Sequence, residues 1–135
     1  MGARRRRDER IRVERESRLV GHTLDEPPTL EEIQAHLDEG RTSLILDLRG
    51  NGGGYVVTLE KLAGYFFEKD VKIADVKGRK PMDPQIAKSQ GADVFKGKVI
   101  VLVDANSGSA AEIFPRLMQI EKRGTVIGDV TAGAV

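Results

Sequence analysis

The sequence predicts an α/β domain built on mostly parallel strands, and three features carry that expectation. Two nearly continuous apolar runs of strand length, Ser43 to Leu48 (SLILDL) and Val99 to Val103 (VIVLV), read as strands buried on both sides. Between them, Thr58 to Lys69 repeats Leu59, Leu62, Ala63 and Phe66 at helical intervals. A further helical pattern, residues 109 to 122, follows the second run. Strands that alternate with helices are the pattern of parallel βαβ units.

The elements can be taken in chain order. Leu19 and Val20 open a short strand that stops at Asp25, Pro27 and Pro28. Thr29 with Glu32 forms a capping box, and Leu30, Ile33 and Leu37 share a helical face before Gly40. The strand at Ser43 to Leu48 is broken abruptly by RGNGGGY, Arg49 to Tyr55. After the helix at Thr58 to Lys69 comes a strand at Val71 to Val76. Lys77 to Lys96, with Gly78, Pro81, Pro84 and Gly91 and no sustained period, reads as a long surface loop. The helix at 109 to 122 turns Ile113, Leu117 and Ile120 inward, with a kink or late start expected from Pro115. Thr125 to Ile127 is the last strand.

Composition narrows the function. The 135 residues amount to one domain, and 22 basic against 21 acidic side chains leave a formal charge of +1, which favours neither a nucleic-acid nor an acidic-membrane partner. Arginines are concentrated in residues 1 to 18, but Asp8, Glu9, Glu14 and Glu16 are interleaved with them, so a solvated, disordered lead is expected there. Residues 19 to 42 then lead into a core at 43 to 135 that stops without a capping element. No run approaches the ~20 apolar residues of a spanning helix, and no signal peptide is legible. The absence of cysteine excludes disulfides and thiolate metal sites. Asp47, Asp75, Asp104 and Asp129 lack the paired spacing of a metal site and read as solvated or capping acids. No cofactor is expected, and compartment and homo-oligomerisation stay open.

Two places could carry chemistry. Gly52, Gly53 and Gly54 follow a strand end, where side-chain-free backbone can aim N–H groups at an anion or a developing oxyanion. A tight turn is the alternative. The second place, Asp104 to Ile113 (DANSGSAAEI), also follows a strand and enters a helix, so a serine there meets a positive helix end. Ser109 with Glu112 three residues on equally matches a capping box. A phosphate loop is excluded by the lack of Gly-Lys-Ser/Thr, and a dinucleotide loop by the glycine spacing.

LILDLRGNGGG, VIVLVDANSGSAAEIF and TVIGDVTAG, in that order over residues 43 to 135, resemble the core of the carboxyl-terminal processing, or tail-specific, serine peptidases and their tricorn-like relatives. The resemblance implies the ClpP/crotonase-like spiral ββα fold and cleavage of polypeptide substrates through an acyl-enzyme. It implies Ser109, not Ser107, as nucleophile. It also implies oxyanion-hole amides from Gly53, with Gly52 and Gly54 as alternatives, and from Ala110. Family members are often exported. The family's lysine base stands in a Thr-Phe-Gly-Lys-Gly context, where this chain has Thr131, Ala132, Gly133, Ala134 and Val135; Ala134 takes the lysine's place. His22, in a Gly-His-Thr segment like that of the histidine-using relatives, is a base candidate whose alternative is a surface or strand histidine. His36 reads as inert. A non-catalytic or truncated homologue that binds peptides is the alternative function. An acyl-thioester enzyme of the same fold is a third, in which the serine motif would be idle.

Overall fold

The computed structural model describes residues 42–135 together with Glu31, Glu32, Gln34 and Ala35, which are helical. The arginine-rich lead, the strand expected at Leu19, and both histidines lie outside the described residues.

Parallel strands organise the domain. Strand β1 (Ser43–Asp47) pairs with β4 (Lys98–Val103), and β4 with β5 (Thr125–Gly128), in a three-stranded parallel sheet ordered β1-β4-β5. The register sets Leu44 against Val99 and Leu46 against Val101, so the most buried residues of both strands share one face. Helices α1 (Val56–Gly64) and α2 (Ala110–Ile120) contribute to the same core through Leu59, Leu62 and Ala63, and through Phe114, Leu117 and Met118. Phe66 joins this core edge-on to Phe95 and Phe114, with ring centroids 6.0 and 5.7 Å away. Arg123 lies over Phe66 and Phe95 and donates to the carbonyls of Phe66, Gly97 and Phe95, which stitches the chain leaving α2 to the loop before β4.

Four expectations are corrected. Strands β1 and β4 are not equally buried on both sides: Ile45, Ile100 and Leu102 are only partly buried, because the shared core covers the opposite face. Helix α1 ends at Gly64 rather than Lys69. The Gly64 carbonyl accepts the Gln90 N–H at 3.2 Å, and a Cβ at Gly64 would run into the Lys88 carbonyl, so the chain turns out and sends Tyr65, Phe66 and Phe67 into the core. The stretch 77–96 is not all loop. It holds strand β3 (Gln85–Ala87), antiparallel to β2 (Val71–Ala74) in a separate two-stranded sheet, and a 3₁₀ turn at Gly91–Asp93. Ile120 does not face inward; it is 58% exposed at the end of α2, which runs through Pro115 from a start at Ala110.

No helix among the described residues is long and apolar enough to cross a membrane. Truncation tests the core assignment directly. Phe114→Ala should cost about 3–5 kcal/mol in urea denaturation, whereas Ile120→Ala should stay within about 0.5 kcal/mol of the parent; comparable losses would mean that the face of α2 is misassigned.

Candidate active site

Strands β1 and β4 are parallel neighbours, so the glycine turn and the serine turn leave the sheet at the same end. Hydrogen bonds then join the turns to each other. The Leu48 N–H donates to the Leu102 carbonyl at 2.9 Å, the Gly50 N–H to Asp104 Oδ1 at 2.9 Å, and the Gly108 N–H to the Asn51 carbonyl at 2.9 Å. The Gly50 amide, with Asn106 and Ser107 adding, holds the Asp104 carboxyl below the usual carboxylate range. The remaining strand-end acids also have local partners: Asp47 takes Arg49, Asp75 takes Lys72, and Asp129 accepts the Val130 N–H.

The two serines of the motif are set apart by their surroundings. Ser107 is fully buried; its hydroxyl donates to the Leu48 carbonyl at 2.7 Å and accepts the Asp104 N–H at 3.0 Å. That hydroxyl is committed to joining the turns. Ser109 stands half-buried at the head of α2 with φ 52° and ψ −123°. Only Lys122 shares a positive φ among the described non-glycine residues. For a residue with a Cβ such a conformation costs about 1–3 kcal/mol and needs surroundings that enforce it. A strained strand-to-helix turn presents a nucleophilic serine hydroxyl in α/β-hydrolases.

A capping box links Ser109 and Glu112. The Ser109 N–H donates to Glu112 Oε2 at 2.8 Å, and the Glu112 N–H faces the Ser109 side chain while donating to the Ser109 carbonyl at 2.8 Å. The contact with the side chain falls short of a hydrogen bond, so the Ser109 hydroxyl is not consumed by the cap.

Gly53 packs directly on this turn. A Cβ there would sit 2.7 Å from the Ser109 Cβ and 3.2 Å from the Ala110 nitrogen, and φ of 112° suits glycine alone. Its N–H donates to Asn51 Oδ1 at 2.9 Å. The Ala110 N–H, at the first helical position, has no backbone acceptor among the described residues. Ser109, Gly53 and Ala110 are therefore brought together, and His22 lies outside the described residues.

The segment after β5 closes the site. Ala132 N–H donates to the Ser107 carbonyl at 2.9 Å, Gly133 N–H to Glu112 Oε1 at 2.6 Å, and Ala134 N–H to Glu112 Oε2 at 2.9 Å. The Thr131 hydroxyl, followed by the Ala134, Gly133 and Ser109 amides, holds the Glu112 carboxyl below the usual range against the opposing effect of burial. Sequence reasoning found Glu112 only as a capping acid. Its contacts 21 and 22 residues away, like the Asn51 bridge to Gly108, leave no periodic signal in the sequence.

Comparisons with known proteins accord with this geometry. The model of peptidase family S41 matches residues 18–135. The chain is 34% identical over 102 residues to the "Probable CtpA-like serine protease" of Staphylococcus haemolyticus, covering 75% of this chain and 20% of that protein. It is 32% identical over 114 residues to the "Tail-specific protease" of Haemophilus influenzae, covering 84% of this chain and 16% of that one. The chain thus spans a fifth or less of these relatives' length. In fold it is similar to a photosystem II D1 C-terminal processing protease, with a TM-score of 0.67 at 24% identity over 78% of this chain and 27% of that one.

Two outcomes test the site's physics. Ser109→Gly should be more stable than Ser109→Ala by about 1 kcal/mol, since both lack the hydroxyl and only glycine relaxes at positive φ; equal stabilities would mean the turn is unstrained. Because the folded pKa of Glu112 is lowered, its hold on residues 131–134 is complete above the unfolded glutamate value of about 4.3 and is lost as pH falls through the lower folded value. Amide exchange at Gly133, corrected for intrinsic rates, should show full protection near pH 6 and a progressive loss of it as the pH is lowered below about 4.3. Unchanged protection at the acid end would contradict the assignment.

Proposed function

The chain belongs to peptidase family S41, and from that premise we propose that it carries a serine-peptidase nucleophile, Ser109, which attacks polypeptide carbonyls in the manner of C-terminal processing enzymes. The observation that carries this reading is the strained, positive-φ backbone of Ser109, pressed against Gly53 at the head of α2. Strain of that kind persists where the surroundings over-determine it, and it is concentrated at reactive positions.

In the proposed reaction the Ser109 Oγ adds to the scissile carbonyl while its proton passes to a base. The carbonyl oxygen becomes an oxyanion, collapse expels the amine with a proton, and water then hydrolyses the acyl-serine. The Ala110 N–H and an amide of the glycine turn are the proposed oxyanion donors. Gly53 can serve only by exchanging its Asn51 acceptor for the substrate oxygen; the amides of Gly52 and Gly54 are the alternatives. Ala134, in the place of the family's lysine, accepts no proton. A positioned base typically contributes about 10²–10⁴ in rate, so acylation of the unaltered chain is expected to be slow. That deficit favours a second reading, a homologue that binds peptides without cutting them.

Labelling with a fluorophosphonate probe separates the readings. The unaltered chain should label slowly and turn over unfolded peptides weakly or not at all, Ala134→Lys should raise labelling by at least about tenfold, and Ser109→Ala should abolish it. Labelling that survives Ser109→Ala would overturn the nucleophile assignment. Brisk Ser109-dependent proteolysis by the unaltered chain would show a base elsewhere, with His22→Ala the next variant to make.

A further inference from the structure

We propose that Glu112 is a positioning residue: its carboxylate fastens residues 131–134 to the nucleophile turn and so delivers the side chain of residue 134 to Ser109. The proposal rests on the reading of Ser109 as nucleophile and adds to it a residue that acts through others.

Capping α2 needs only one oxygen of Glu112, the one that accepts the Ser109 N–H. The carboxylate does considerably more. The same Oε2 also accepts the Ala134 N–H at 2.9 Å, so a single oxygen bridges the backbone of the nucleophile and the backbone of residue 134. Oε1 accepts the Gly133 N–H at 2.6 Å, and the nearby Thr131 hydroxyl favours the charged form of the carboxylate. Two successive amides converging on one anion form a small anion-binding concavity, and the φ of 72° at Gly133 turns the chain to make it. Each bond is charge-assisted and therefore stronger than its neutral counterpart.

Among the described residues the segment has little else to hold it. Residues 132–135 are exposed and follow the end of β5, and the other anchor near the site is the Ala132 N–H on the Ser107 carbonyl. The anchoring nevertheless leaves the alanine side chains beside the serine turn. A Cβ built on Gly108 would lie 3.7 Å from that of Ala132 and 3.9 Å from that of Ala134. A longer side chain at 134 would start next to the nucleophile, on a backbone held in place by Glu112.

The test is a cycle of variants of the 135-residue chain read by two measurements, Ser109 labelling with a fluorophosphonate and amide exchange at Gly133 and Ala134. Glu112→Gln replaces one acceptor oxygen by a donor that faces other donors. It should speed exchange at both amides at least about tenfold, and it should cost at least about tenfold more labelling in the Ala134→Lys chain than in the chain with Ala134. Thr131→Val removes the hydroxyl that favours the charged Glu112 carboxylate on the segment side and leaves the cap on Ser109 intact. It should act in the same direction with smaller effect, and it carries the test if Glu112→Gln does not fold. An equal fractional loss of labelling in both backgrounds, or exchange at Gly133 and Ala134 that does not change, would overturn the proposal and leave Glu112 a helix cap. Failure of the underlying nucleophile reading looks different: Ser109→Ala would then leave labelling unchanged in every background.

Discussion

Because β1 and β4 run parallel with Asp47 set against Leu102, the chain must leave both strands at the same end of the sheet, and the rest of the site follows from that exit. An antiparallel pair would send one turn to each end. Here the turns meet, and buried polar groups must then find partners in each other. Asp104 takes the Gly50 amide, Ser107 bridges Leu48 and Asp104, and Asn51 takes Gly108. No buried side-chain polar atom among the described residues is left without a partner. Satisfied networks of this kind fix one geometry, and the geometry fixed here pushes Gly53 against Ser109.

That rigidity accounts for the division of labour between two serines only two positions apart. Ser107, sealed in and bonded on both sides, contributes to stability. Ser109 is stable only because everything around it is fixed: Gly53 on one side, a buried Gly108 before it, and the first turn of α2 after it. Stability gained at one serine thus sustains strain at the other. A turn of this kind can present a hydroxyl without reorganising when a substrate arrives, which is the condition for preorganised catalysis.

The surroundings of the proposed nucleophile are uneven in this chain. The proposed donors and nucleophile are held in place, while Ala134, at the position matched to the family's lysine by resemblance, offers only a methyl group. Its backbone is still fastened to the nucleophile turn through Glu112, so the scaffold for a base persists without the base. The peptide-binding alternative draws on the same scaffold, since β5 is an edge of the three-stranded sheet among the described residues and open edges can accept extended peptides.

Much of this was legible from the residues themselves. The apolar runs of β1 and β4 marked the parallel strands, the helical spacing of Leu59, Leu62 and Ala63 marked α1, and the glycine and serine motifs marked the two turns, because these signals are local or repeat at a fixed period. What failed was decided by contacts between distant segments. α1 stopped at Gly64 because the chain at Lys88 to Gln90 lies against it, and β3 formed from three unremarkable residues because β2 was there to pair with them. The site divides in the same way. The sequence by itself determined which residues could act, Ser109 and the glycines before β4, and that Ala134 could not be a base. Only the tertiary structure decided that Ser107 is consumed, that Ser109 is strained, that the Gly53 amide is held by Asn51, and that Glu112 grips residues 133 and 134. The physical reason is that local propensity is written within a few residues, whereas hydrogen bonds across 20 or more residues, such as those of Glu112, exist only once the strands have brought their partners together.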